Sequence, residues 1–201
     1  MGQDSRGASE PALPLAVIEC SDAFGVDHFL LRATLRGMAL LIGDKAPDFT
    51  LPTKTDDGFQ SVTLSAAFGK KNTLILFFPM AFTGVCTTEF CSVSQGLEAY
   101  ESVNAEVVGI SGDSPFALDA WAEKEGIKIP LLSDYEHTVA KAYGVAYESF
   151  LPQLGLPMGG VAKRAAFIVD KFGIIQYAQV NEDARDLPDF SAISAKLADL
   201  K

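Results

Sequence analysis

Three cysteines and two histidines are the residues of this 201-residue chain best suited to nucleophilic, redox or metal chemistry. Cys86 and Cys91 lie five positions apart, while Cys20 stands far upstream. An odd count with one close pair is not a disulfide framework. His28 and His137 do not sit at zinc-like spacing from the pair, so no metal site is indicated and no metal or organic cofactor is expected. A surface or satisfied-core position is the ordinary reading of each histidine. What remains for Cys86 and Cys91 is thiol chemistry, or packing as small buried hydrophobes.

Thiol chemistry needs a thiolate, and the elements around Cys86 bear on that requirement. Thr73–Phe78 is a run of Leu, Phe and β-branched residues without polar alternation, as a central strand buried on both faces requires. Thr87–Ser102 places Phe90, Val93, Leu97 and Tyr100 at helical spacing. Residues 79–91 therefore join a buried strand to a long helix, with Cys86 at the helix start. There, unpaired backbone N–H groups and the positive end of the helix dipole favour a thiolate over a thiol, so Cys86 is expected to fall below the ordinary cysteine pKa of about 8.5. Thr83 offers a hydroxyl that donates and accepts, Gly84 admits close approach of a small ligand, and Pro79 ends the strand and stiffens the loop. Without further information the same residues also describe a strand–helix junction that holds a buried cysteine.

The remaining pattern alternates strand and helix character from Gly43 onward, which is an α/β arrangement. Phe49–Leu51 and Ser61–Leu64 flank an Asp57-Gly58 turn pair. Glu106–Ser111 is a strand; Ser114-Pro115 caps a helix with Phe116, Ala120 and Trp121 expected to face inward. Leu131-Leu132 suggests a short strand and Thr138–Tyr143 a short helix. Ala165–Asp170 and Ile174–Val180 form a hairpin around Lys171–Gly173, and Ser191–Leu200 closes the chain as a helix with Ile193, Leu197 and Leu200 on one face. Trp121 and the Phe residues are expected in the core. The order fits a thioredoxin-like fold, a central mixed β-sheet flanked by helices.

Residues 1–37 lack a clear period and read as an N-terminal extension to a domain spanning 38–201, with Met38 a candidate start of translation. No secretory signal is recognisable, since Asp4 precedes Arg6 and Glu19 interrupts the only early apolar run. The net charge of −10 with a pI near 4.6 argues against nucleic acid and anionic membrane as partners. No apolar run approaches the roughly 20 residues of a membrane span. A cytoplasmic protein is expected.

The run Pro-x-x-x-Thr-x-x-Cys, present as Pro79, Thr83 and Cys86, together with Phe82-Thr-Gly-Val-Cys-Thr-Thr-Glu89, resembles the active-site signature of the peroxiredoxins. The resemblance extends from about Leu41 to Leu200 and includes residues 43–49, the Ser111-Gly-Asp-Ser-Pro-Phe116 turn and residues 130–134. It implies a thiol peroxidase in which the Cys86 thiolate attacks a hydroperoxide and becomes a sulfenic acid. It further implies that Arg164, opening the strand-like Arg164–Asp170, completes the site, although a charge in that position ordinarily suggests the surface. Thr83, Arg164 and the amides near Val85 and Cys86 would hold the peroxide oxygens. Glu89 either orients Arg164 or is an ordinary first-turn acid.

The five-residue spacing to Cys91 is similar to the bacterioferritin comigratory protein and peroxiredoxin Q group, where the second thiol resolves the sulfenic acid, whereas Ala81-Phe-Thr-Gly-Val-Cys86 is similar to the one-cysteine alkyl hydroperoxide reductase E group. On a regular helix the two Cα atoms would be roughly 8.7 Å apart, and a disulfide needs less than about 7 Å, so an internal bond requires local unwinding. The resemblance also implies thioredoxin, glutaredoxin or a low-molecular-weight thiol as reductant, and a homodimer through loops near the active site. Competing expectations are a redox sensor or holding chaperone, a purely structural module, and a thioredoxin-type oxidoreductase, whose Cys-x-x-Cys spacing is not found here.

Overall fold

The computed structural model describes residues 39–155 and 158–200. The expectations placed on the 1–37 extension, on Cys20 and His28, and on Met38 lie outside the described residues. A hairpin of β1 (Thr50–Thr55) and β2 (Gly58–Thr63) precedes the main sheet. That sheet contains β3 (Asn72–Phe77), β4 (Ala105–Ser111), β5 (Leu131–Ser133), β6 (Arg164–Val169) and β7 (Ile175–Asn181), in the order β5-β4-β3-β6-β7. β3, β4 and β5 run parallel, whereas β6 is antiparallel to β3 and β7 to β6. The helices are α1 (Gly84–Gln95), α2 (Leu97–Ser102), α3 (Pro115–Glu125), α4 (Thr138–Ala142) and α5 (Phe190–Asp199).

Every residue of β3 is buried, as its unbroken apolar run requires. Alternation sends Leu74 and Leu76 to a core with Phe90, Trp121, Ile193 and Leu197, and sends Ile75 and Phe77 to a second core with Phe49, Tyr143 and Phe167. The sheet thus separates two apolar layers, in a thioredoxin-like α/β architecture. Among the described residues no helix is long and apolar enough to cross a membrane.

Several local expectations are corrected. The first hairpin turns at Asp56 and Asp57 instead of Asp57-Gly58, and Gly58 pairs with Thr55 at the start of β2, taking a φ of 101° that a side chain rarely adopts. The single helix expected over Thr87–Ser102 starts earlier and divides at Gly96, the weakest helix former in the run; the break lets α2 set its own direction and bury Tyr100. α3 begins as expected, with Ser114 Oγ accepting from the Ala117 N–H at 3.3 Å and Pro115 in the first position. Its inward face, however, is Leu118 and Trp121, while Phe116 and Ala120 face outward. Phe116 finds its partner in Phe59 of the hairpin, edge to face at 5.3 Å. Phe59, Phe82, Phe116 and Phe172 are all exposed, so the aromatic residues divide between core and surface.

Candidate active site

β3 delivers the chain to the site from the middle of the sheet. Its parallel ladder continues one bond past the strand, from Phe78 N–H to Ile110 O at 3.1 Å, and then stops at Pro79, which has no N–H to offer. Pro79 is buried. The loop that follows places Phe82 at φ 61°, a left-handed conformation costing a non-glycine residue about 1–2 kcal/mol. Two hydrogen bonds hold it: Ala81 N–H donates to Asp113 Oδ2 at 2.9 Å, and the Thr83 hydroxyl donates to Met80 O at 3.0 Å.

Thr83 occupies the N-cap position of α1 with extended φ and ψ, but its side chain does not cap. The Thr87 N–H reaches Thr83 O at 2.9 Å. The amides of Val85 and Cys86, within the first turn, therefore have neither an intrahelical acceptor nor a side-chain cap. Such amides are free to donate to a polar ligand oxygen.

Cys86 is 1% exposed, and its sulfur accepts from Arg164 Nη2 at 3.2 Å. The reason residues so far apart in sequence meet is the register of β3 against β6: Phe77 pairs with Ala165, so Arg164 opens its strand beside the point where β3 gives way to the loop. The guanidinium is itself fixed on three sides. Nη2 meets Cys86, Nη1 donates to Glu89 Oε2, and Nε donates to Ala184 O at 2.9 Å. Glu89 is fully buried with Oε1 unpartnered, and burial pushes its carboxyl up to about 7 despite the opposing pull of Arg164. Below the helix, Phe78, Phe90 and Trp121 pack with ring centroids 4.5–5.7 Å apart, and Trp121 Nε1–H donates to Thr87 Oγ1 at 3.2 Å.

Of the residues expected in the site, Cys86, Arg164, Thr83 and Pro79 converge at the start of α1. Cys91 does not. Five residues turn the helix by about 140° beyond a full revolution, and Cys91, half-buried, donates to Glu125 O at 3.6 Å. Both thiols are free, and both lie in one unbroken helix. The surface position ordinarily expected for an arginine gives way to full burial at Arg164, and of the two readings of Glu89 the buried partner of Arg164 is the one found. Sequence reasoning missed the Ala184 carbonyl, which no side chain could signal, and Asp113, whose turn motif was visible but whose reach to Ala81 was not.

The sequence pattern of the AhpC/TSA family matches residues 42–178. The 2-Cys peroxiredoxin BAS1 of barley, a chloroplastic protein, is 37% identical over 160 residues, 76% of this chain and 72% of its own length. Alkyl hydroperoxide reductase E of Mycobacterium bovis is 38% identical over 145 residues, 71% of this chain and 87% of its own. The crystal structure of peroxidoxin BcpB from Mycobacterium tuberculosis superposes with a TM-score of 0.68 at 28% identity, covering 80% of this chain and 97% of the other. A sulfur held against a buried guanidinium, the uncapped start of a helix and this agreement over most of the chain lead to one conclusion: the chain belongs to the AhpC/TSA family and is a peroxiredoxin-type thiol peroxidase.

Proposed function

We propose that Cys86 is the peroxidatic nucleophile and that the chain reduces hydrogen peroxide and organic hydroperoxides. The observation that carries this reading is the 3.2 Å contact of Arg164 Nη2 with the buried Cys86 sulfur. The Cys86 thiolate attacks the terminal oxygen in line with the O–O bond; the S–O bond forms as the O–O bond breaks, and the departing oxygen takes a proton to leave as water or alcohol. Cys86 becomes a sulfenic acid. Arg164 and the free amides of Val85 and Cys86 hold the peroxide and stabilise charge on the leaving oxygen; the Thr83 hydroxyl, its own proton given to Met80 O, accepts from the peroxide O–H, while Pro79 fixes the loop that presents them. Glu89 orients the guanidinium.

Cys91 then resolves the sulfenic acid: its sulfur displaces water from Cys86 and an intramolecular disulfide forms. The start of α1 is suited to the unwinding this needs, since Gly84, Val85, Thr87 and Thr88 are all poor helix formers. A second reading, recycling by an external thiol, is favoured by the contact of Cys91 with Glu125 O on another side of the helix. In either case thioredoxin, glutaredoxin or a small thiol supplies the two electrons. A hollow of about 660 Å³ adjoins the Ala184 carbonyl that holds Arg164; one wall carries Glu182, Asp183 and Arg185, and the other, of Tyr147, Phe150 and Leu151, supports organic hydroperoxides as substrates. We place this activity in a domain of residues 38–201, in the cytoplasm, where a thiol remains reduced, with a homodimer as the assembly.

Stopped-flow oxidation of the reduced protein by hydrogen peroxide and by cumene hydroperoxide, followed by Trp121 fluorescence, tests the reading beside Cys86→Ser. Fast oxidation that disappears in the variant is expected, with Trp121 reporting through its bond to Thr87, next to Cys86. A wild-type rate no better than that of a free thiol would sink it.

A further inference from the structure

We propose that Asp113 is a positioning residue for the peroxide pocket, acting through the Ala81 amide on the loop that carries Thr83 and leads into α1. The inference rests on the reading of Cys86, Thr83 and Arg164 given above.

Asp113 lies two residues beyond the end of β4 and touches neither Cys86 nor Arg164 through any hydrogen bond found among the described residues. Its Oδ2 accepts from Ala81 N–H at 2.9 Å and from the Ser111 hydroxyl at 2.8 Å. Its own N–H donates to Ser111 Oγ at 3.2 Å, and its carbonyl accepts from the Ser133 hydroxyl at 2.6 Å. The residue is thereby pinned to the ends of two adjacent parallel strands, its carboxylate to Ser111 of β4 and its backbone carbonyl to Ser133 of β5. The far side of the turn is closed as well: a Cβ on Gly112 would lie 2.1 Å from Cε1 of His137, so the imidazole lies directly against the backbone.

This anchored carboxylate grips the residue immediately before Phe82, whose φ of 61° would otherwise relax to the commoner negative range. Relaxation would turn the Phe82–Thr83 segment, moving the Thr83 hydroxyl and the first amides of α1 relative to the sulfur. Cys86 itself would stay, because Phe90 and Trp121 pack the helix from below and Arg164 holds the sulfur from the side. Asp113 therefore governs reactions that need the pocket and spares those that need only the sulfur.

The experiment compares two rates in wild type, Asp113→Ala and Asp113→Asn: oxidation of Cys86 by hydrogen peroxide, and its alkylation by iodoacetamide, which requires no oxyanion donors. In Asp113→Ala the peroxide rate falls about 100-fold, the loss expected of a misplaced reacting group. Alkylation changes by only a few-fold at most, since it tracks the thiolate, which Arg164 goes on holding at the sulfur. Asp113→Asn, whose amide oxygen still accepts from Ala81, recovers most of the peroxide rate. A parallel loss of both rates, or no loss of either, overturns the proposal. Should Asp113→Ala fail to fold, Ser111→Ala removes the hydroxyl that steadies the carboxylate; a several-fold selective loss of the peroxide rate is then expected, and an unchanged one overturns the proposal. A wild-type peroxide rate equal to that of a free thiol would instead bring down the underlying reading of Cys86, so the two failures are distinguishable.

Discussion

Cys86 and Cys91 stand in the same helix, five residues apart, and meet opposite kinds of neighbour. Cys86 is buried and accepts a hydrogen bond from a guanidinium that arrives from β6; Cys91 is half-buried and donates one to the backbone carbonyl of Glu125 at the end of α3. One sulfur is presented as an electron-pair donor and the other as a thiol proton donor. A shared helix therefore confers no shared chemistry. The first turn supplies free amides to Cys86 alone, and the antiparallel pairing of β6 with β3 supplies the cation to Cys86 alone. The site is made by the topology of the sheet as much as by the helix.

Replacing the cation tests this contrast most severely. Arg164→Lys keeps a positive charge but cannot serve Cys86, Glu89 and Ala184 together, because an ammonium lacks the planar fork of donors. Oxidation of Cys86 by peroxide is expected to slow by about 10²–10³-fold, the usual cost of losing one oriented donor at a developing charge. Stopped-flow rates within tenfold of wild type would show that charge alone suffices and that the geometry of the guanidinium is incidental. Alanine is the poorer probe, since it leaves Glu89 buried without a partner, at a stability cost of about 3–5 kcal/mol.

A pH titration of stability sharpens the same contrast, because a titrating acid adjoins the cation of the Cys86 site. The Glu89 carboxyl rises from an ordinary 4.5 to about 7 on folding, with burial the largest cause and Arg164 opposing it. Between those values the folded protein holds a proton that the unfolded chain releases, so stability is greatest on the acid side and is lost as pH rises toward 7. From pH 5 to pH 8 the loss amounts to about 2–3 kcal/mol. Glu89→Gln cannot titrate, so its unfolding free energy relative to wild type should climb by that amount over the interval, as read from urea unfolding at pH 5, 6.5 and 8. A difference that stays level with pH would mean that Arg164 keeps Glu89 ionised throughout.

The parts of this site that could be read from sequence are those written in local patterns. The apolar run of β3, Pro79 at its end and Cys86 in the first turn of α1 follow from residue type and spacing. Arg164 was reachable only through resemblance, because nothing local distinguishes an arginine that opens a buried strand from one on the surface. Glu89 illustrates the same limit: an acid in the first turns of a helix is favoured by the dipole wherever its side chain points, and its burial depends on a partner 75 residues away. Phe116 and Ala120 failed for a related reason. Helical period fixes which residues share a face but not which face the sheet takes: α3 buries Trp121 as expected, but with Leu118 beside it in place of Phe116 and Ala120. The outward aromatic pair Phe59–Phe116 is likewise set by packing between distant elements.

The smallest effect on the first chemical step is expected from Cys91→Ser, and it decides what the second cysteine is for. Among the described residues the Cys91 thiol hydrogen-bonds to Glu125 O and to no residue of the Cys86 site, so the variant should be oxidised by peroxide at a rate within about twofold of wild type. The two proteins should part only afterwards. In the intact helix the Cα atoms of the two cysteines lie roughly 8.7 Å apart, beyond the reach of a disulfide at about 7 Å. Closing the bond requires the first turns of α1 to open, at about 1 kcal/mol for each backbone hydrogen bond lost. The weak helix formers from Gly84 to Thr88 keep that cost within reach of a spontaneous fluctuation. After one equivalent of peroxide, wild type should therefore yield a Cys86–Cys91 disulfide by peptide mass mapping, while the variant stops at a sulfenic acid that dimedone traps. If wild type also stops at the sulfenic acid, α1 does not open on the time scale of turnover, Cys91 is a packing residue held by the Glu125 carbonyl, and the thiol that completes the cycle comes from outside the chain.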